Sequence, residues 1–204
     1  MGDSGRIKYA VLCSEGNEER IQNVRKMKLM IPELKVVMAN RQNCFLRFVQ
    51  LFCVEEEYDG IVILEDDVQL CKRFKERLSD VLKGHEHEVV SMFESVMSKK
   101  PLKSEYRAGK QFMWNQCNYY PREIARKIAD TGLMDDFVNY FYSKLNQPWK
   151  YPSDLYIAYA LDKLGVRYWM SVPFLVQHLD MQSNFGARST KRQTKYFVDD
   201  LEEA

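Results

Sequence analysis

A chain of 204 residues with 30 Lys and Arg against 29 Asp and Glu, formal charge +1, is long enough for one domain with a sizeable core and too balanced to coat nucleic acid. Hydrophobic residues make up 46% and charged residues 29%, which excludes a disordered chain. No stretch approaches the roughly 18 apolar residues of a membrane span, and MGDSGRIKYAVL has no signal-peptide apolar core, so the expected location is cytoplasmic.

In chain order, Ile7–Cys13 reads as a short buried strand, and the turn SEGN after it offers Ser14 and Asn17 as helix caps. From Asn17 to Ile31 the apolar residues Ile21, Val24, Met27 and Ile31 recur at helical spacing until Pro32 stops the helix. Leu34–Ala39 is a second strand, closed by NRQN. Cys44–Val54 is a helix that buries Phe45, Phe48, Val49 and Phe52. Ile61–Leu64 is a third strand, and it runs straight into Glu65, Asp66 and Asp67.

Further on, Phe74–Lys83 reads as a helix and Glu88–Phe93 as a strand, with GHEHE between them as a solvated loop carrying His85 and His87. Residues 99–110, KKPLKSEYRAGK, hold five basic residues and one acid and read as a basic loop. Gln111–Tyr119 alternates as a strand, and Pro121 opens a helix that Gly132 ends. Asp135–Leu145 is an aromatic-rich helix, Ser153 caps a helix ending at Gly165, and Val166–Val172 is a late strand. The segment RSTKRQTK at 188–195 holds four basic residues and no acid. The five cysteines, Cys13, Cys44, Cys53, Cys71 and Cys117, form no C-x-x-C pair and read as reduced thiols. Without repeats or linkers, residues 1–204 make one domain.

Strand, helix, strand, helix, strand predicts a parallel sheet with right-handed crossovers, in which ligands collect beyond the carboxyl ends of the strands. Those ends are Cys13-Ser14-Glu15, Asn40-Arg41 and Glu65-Asp66-Asp67. Three consecutive carboxylates after a buried strand either face water or gather around a cation. Apolar residues on both sides, GIVIL and VQL, favour the cation. A hard divalent ion such as Mg²⁺ or Mn²⁺ takes oxygen ligands and keeps positions open for substrate phosphates.

ILEDDV at a strand end, in a small α/β domain that opens with a βαβ unit, resembles the GT-A glycosyltransferases. It is most similar to the family 25-type enzymes named for lipooligosaccharide and collagen sugar transferases. PSDLYIAYAL at 152–161 and PFLVQHLDMQSNFG at 173–186 look like further segments of that family. The resemblance implies a Rossmann-like nucleotide-sugar-binding half, about 1–98, continuous with a mixed sheet for the acceptor, about 99–186, and a basic, flexible tail from 187 to 204. It implies a nucleotide-sugar donor, a UDP-sugar first, with its diphosphate on Mn²⁺ or Mg²⁺ held by Asp67, Asp66 and His178. Glu65 or Asp66 then reaches the ribose or a metal-bound water. Ser14, Glu15, Asn40 and Arg41 would line the base and ribose, and Arg188, Lys191 and Arg192 would close over the diphosphate.

Transfer needs a base for the acceptor hydroxyl, and Asp154 in YPSD is the candidate, with helix capping as its competing role. The family is inverting, which implies direct displacement at the anomeric carbon. Trp114, Asn115 and Tyr119 of WNQCNYY are candidate acceptor contacts. With the basic loop they suit a surface glycan or a hydroxymethylated DNA base, the acceptor of some phage enzymes. Two other classes stay open: a metal-dependent phosphoryl or nucleotidyl transferase, and a non-catalytic nucleotide-sugar or nucleic-acid binding module.

Overall fold

Residues 6–94, 102–145, 153–181 and 193–199 are described by a computed structural model. The expected βαβαβ unit is present as β1 (Ile7–Ser14), α1 (Glu18–Met30), β2 (Lys35–Ala39), α2 (Cys44–Leu51) and β3 (Gly60–Glu65). β1 pairs in parallel with β2 on one side and β3 on the other. Gly60 through Leu64 are all buried, as a central strand covered on both faces requires. Asn17, not Ser14, caps α1: its side-chain oxygen accepts the Arg20 amide at 3.2 Å. Glu18 and Glu19 in the first turn suit the positive end of the helix dipole.

The chain continues as β4 (Val68–Leu70), α3 (Phe74–Leu82), β5 (Val89–Ser91), β6 (Glu105–Ala108), β7 (Cys117–Pro121), α4 (Arg122–Ile128), α5 (Thr131–Leu145), α6 (Ser153–Lys163), β8 (Arg167–Met170) and β9 (Val176–His178). The main sheet has the order β2-β1-β3-β7-β5-β8-β6. β7 runs antiparallel to β3 and β5, and β6 antiparallel to β8, so the sheet is mixed. Strand alternation splits the core into two layers. Val62 and Leu64 pack under α1 and α3 with Val24, Met27 and Leu78, while Ile61 and Ile63 pack under α2 and α6 with Phe48, Phe52, Tyr156 and Leu161. No helix among the described residues is long and apolar enough to cross a membrane.

Several expectations shift. Part of the basic loop is edge strand β6, because Arg107 is neutralised by Glu94 at 2.6 Å and Glu105 at 3.1 Å. The strand expected over Gln111–Tyr119 begins only at Cys117. Before it, Gly109–Gln111 forms a tight 3-10 turn pressed on α6, where a Cβ on Gly109 would fall 2.5 Å from Leu161 Cβ. Gly132 does not end a helix but lies inside α5. Asp130 starts that helix by accepting the Leu133 amide at 3.2 Å, and an aspartate cap outweighs the glycine stop signal. Residues 193–199, expected within a flexible tail, return to the core: Phe197 bridges Phe174, and Gln177 exchanges hydrogen bonds of 2.7 and 2.8 Å with the Thr194 backbone.

Candidate active site

The three parallel strands end side by side, with Ser14 opposite Ala39 and Leu12 opposite Glu65. Beyond them the Glu15 amide donates to the Ala39 carbonyl at 2.8 Å, and Asn40 Nδ2 donates to Glu15 Oε2 at 3.0 Å. Asn40 Oδ1 accepts the Gln42 amide at 3.0 Å, which fixes the turn where Arg41 lies exposed. Ser14, Glu15, Asn40 and Arg41 thus share one edge with the acidic triplet.

The cation beside the triplet is Arg20. Its guanidinium forks, Nη1 pairing with Asp66 Oδ1 and Nη2 with Asp67 Oδ2 at 2.8 Å. The three side chains are only 10%, 4% and 8% exposed, so the charges are compensated inside the protein and not by water. Asp66 Oδ2 also accepts the Ser14 amide at 2.7 Å, which occupies both of its oxygens. One turn along α1, Asn23 Nδ2 donates to the Asp66 and Val68 carbonyls at 3.0 and 2.8 Å. Arg20 was missed in the sequence, yet a signal exists. Stepping back one turn from Val24 and Met27 on the buried stripe lands on it.

β4 and β9 bring in His178. They pair antiparallel with Val68 opposite His178, and the Leu179 amide donates to the Asp67 carbonyl at 2.9 Å. His178 Nε2 lies 3.4 Å from Asp67 Oδ2. Nδ1 accepts the Asp180 amide at 3.0 Å and lies 3.4 Å from Asp180 Oδ1. Asp180 adopts φ +47°, a left-handed conformation that aspartate tolerates, and this tight turn fixes the ring.

The environments push the three acids apart. Burial raises the Glu65 carboxyl well above the usual range, and the charges of Asp67, Asp154 and Asp66 add to that. Burial also raises Asp66, against the pull of Arg20 and the Ser14 amide. For Asp67 burial is outweighed by the adjacent His178 imidazole and the charge of Arg20, and its carboxyl is held below the usual range. Asp154, in the first turn of α6, lies close enough to raise both Glu65 and Tyr120. The candidate base therefore approaches the triplet from the other half of the sheet.

At the start of β7, Gln116 Nε2 donates to Glu65 Oε2 at 2.8 Å. Asn115 is 1% exposed, and neither atom of its amide finds a hydrogen-bond partner among the described residues. Trp114 packs edge-on against Phe93 at 6.3 Å, and Phe93 lies 6.5 Å from His178. Tyr119 is not brought to this edge. Its hydroxyl donates to the Glu86 carbonyl at 2.8 Å, and its ring covers Gly60 at the opposite end of β3. Nor is the GHEHE loop wholly solvated: His85 Nδ1 lies 2.6 Å from Glu88 Oε2 and its ring stacks on Trp169 at 4.6 Å. Arg188, Lys191 and Arg192 lie outside the described residues.

Among the described residues no group of three or more His, Cys, Asp and Glu is arranged to hold a metal. A magnesium-type site needs no such cage, because one or two carboxylates suffice when substrate phosphates complete the shell. Asp67 Oδ1 is buried and finds no hydrogen-bond partner among the described residues. An oxygen ligand with that unmet need fits a hard cation.

The backbone matches solved structures over most of its length. A197 from STIV superposes with a TM-score of 0.50 at 12% identity, covering 95% of this chain and 96% of that one. A glycosyltransferase involved in the glycosylation of the major capsid of PBCV-1 gives 0.50 at 11% identity, covering 87% and 95%. The fold is GT-A-like. A Drosophila β-1,4-galactosyltransferase 7 in complex with manganese, UDP-Gal and xylobiose superposes more loosely, with a TM-score of 0.44 at 10% identity over 98% of this chain and 80% of that one. No family model matches the sequence and no curated protein matches it significantly, so the family 25 likeness stays a sequence resemblance.

Proposed function

We propose that the chain is a metal-dependent glycosyltransferase that moves a sugar from a nucleotide-sugar donor, a UDP-sugar first, to an acceptor hydroxyl with inversion. One observation carries this reading: a buried Asp67 carboxylate, with one oxygen held and the other unmet, stands at the strand ends of a GT-A-like sheet. Asp67 through Oδ1 would hold Mn²⁺ or Mg²⁺, and His178 would join through Nε2 in the tautomer with its proton on Nδ1, which gives up the bond now accepted from the Asp180 amide. The bound cation supplies positive charge against the diphosphate leaving group. Asp66 shapes the site by tying Ser14 to Arg20. Ser14, Glu15, Asn40, Arg41 and Glu65 form the shelf for ribose and base. Asp154 takes the proton of the acceptor hydroxyl, and Trp114 and Asn115 border the acceptor. Arg107, ion-paired with Glu94 and Glu105, is withdrawn from phosphate contacts, which favours a glycan hydroxyl over a DNA base.

The competing reading, a nucleotide-binding module without turnover, rests on Arg20, which already pairs with two of the three acids without a metal. Incubation with a panel of nucleotide sugars and Mn²⁺ separates the classes by product. Release of intact nucleoside diphosphate and free or transferred sugar is the expected outcome. Nucleoside monophosphate with sugar phosphate would instead indicate cleavage at phosphorus, and no product with any donor would favour the binding module.

A further inference from the structure

We infer that Arg20 is a positioning residue, a clamp that holds Asp67 in the one orientation that leaves Oδ1 for a cation and its diphosphate. The inference rests on the role proposed above for Asp67, although the clamp itself is visible without any ligand. Arg20 takes hold of two consecutive acids at once, Nη1 on Asp66 and Nη2 on Asp67 Oδ2. Only a planar fork spans both; a lysine ammonium is a single point charge. The fork is itself anchored at both ends. Its backbone amide bonds the Asn17 cap, and Asp66 on its far side is held by the Ser14 amide at 2.7 Å. One turn away Asn23 grips the carbonyls on either side of Asp67, at 3.0 Å to Asp66 and 2.8 Å to Val68.

Helix α1 therefore fixes the backbone of Asp67 through Asn23 and its side chain through Arg20. With His178 Nε2 3.4 Å from the same Oδ2, the carboxylate has one restrained oxygen and one unmet oxygen. A charged group that merely balanced the acids would need neither the fork nor this asymmetry. Two carboxylates against one guanidinium also leave the pair negative, which preserves attraction for a cation.

Arg20→Lys, Arg20→Met, Asp67→Asn and the double variants Arg20→Met/Asp66→Asn and Arg20→Met/Asp67→Asn test this with two readouts. Calorimetry follows the Mn²⁺-dependent affinity for UDP, and chemical denaturation follows stability. Arg20→Lys should fold and bind UDP with Mn²⁺ about tenfold or more weakly. Removing the surplus acid in Arg20→Met/Asp66→Asn should recover stability relative to Arg20→Met but not recover affinity. A merely structural role would restore both, and wild-type affinity in either Arg20→Lys or Arg20→Met/Asp66→Asn overturns the inference. The denaturation arm needs no nucleotide. Non-additive effects of Arg20→Met and Asp67→Asn support the clamp, and additive effects overturn it. Wild-type protein that binds no UDP with Mn²⁺ would overturn the function proposed above and leave that denaturation result standing.

Discussion

His85 and His178 each face a carboxylate, His85 in the loop before β5 and His178 on β9 of the separate β4–β9 pair. His85 Nδ1 lies 2.6 Å from Glu88, whose oxygens also accept the Tyr106 hydroxyl at 2.8 and 2.9 Å. The two partners are 21% and 35% exposed, and the ring is stacked on Trp169. His178 and Asp67 are 4% and 8% exposed, with the Arg20 guanidinium on the same oxygen and nothing among the described residues on Asp67 Oδ1. The first pair satisfies its carboxylate and fastens a loop to β8. The second encloses a charge and leaves part of it unmet. Residue type is the same in both, and what marks a site is burial combined with an unmet atom.

Asp154→Asn carries the largest expected effect. Turnover should fall by about 10²–10⁴-fold, the usual worth of a general base, while UDP binding persists. Steady-state release of nucleoside diphosphate reads the first and calorimetry the second, and a variant with normal turnover removes Asp154 from the chemistry. Next come the two histidines themselves. His178→Ala should weaken Mn²⁺-dependent UDP binding by about 10–100-fold, whereas His85→Ala leaves it unchanged; equal effects would erase the contrast.

Glu65→Gln sharpens the electrostatic side. Because the folded Glu65 carboxyl is raised by burial and by its acidic neighbours, the folded state holds its proton after the unfolded chain has released it. Stability is therefore lost as pH rises from about 4.3, the ordinary glutamate value. Glutamine removes that penalty, so the variant should melt higher than wild type at neutral pH and equally at about pH 4. A melting-temperature difference that does not change with pH would count against a raised Glu65. The smallest effect belongs to Tyr106→Phe, which removes one hydroxyl from a half-exposed pair. Urea denaturation should show a midpoint shifted little or not at all, and a large shift would contradict an exposed pair.

The first half of the fold was legible because its signals are local and consistent. Asn17 caps, Pro32 stops, and the buried run GIVIL ends in acids that its neighbours cannot neutralise. The edge holding Ser14, Glu15, Asn40 and Arg41 followed from topology alone. Other features depend on contacts distant in sequence. Arg20 stands among the many charges of EERIQNVRKMK, and the partners that single it out lie 46 and 47 residues away. Tyr119 reads as an aromatic acceptor contact because its strand is near the site. The antiparallel direction of β7 nonetheless carries its hydroxyl to the far edge. The β4–β9 pair that delivers His178 joins three-residue strands with weak local signatures.

The central claim is that Asp67 offers one oxygen to a cation that carries a diphosphate. Calorimetric titration of UDP into the wild-type protein and into Asp67→Asn, each with and without Mn²⁺, tests it directly. Saturable binding by wild type only when Mn²⁺ is present, and none by the variant, is the predicted result. Binding of UDP without metal, or equal binding by the two proteins, would contradict it.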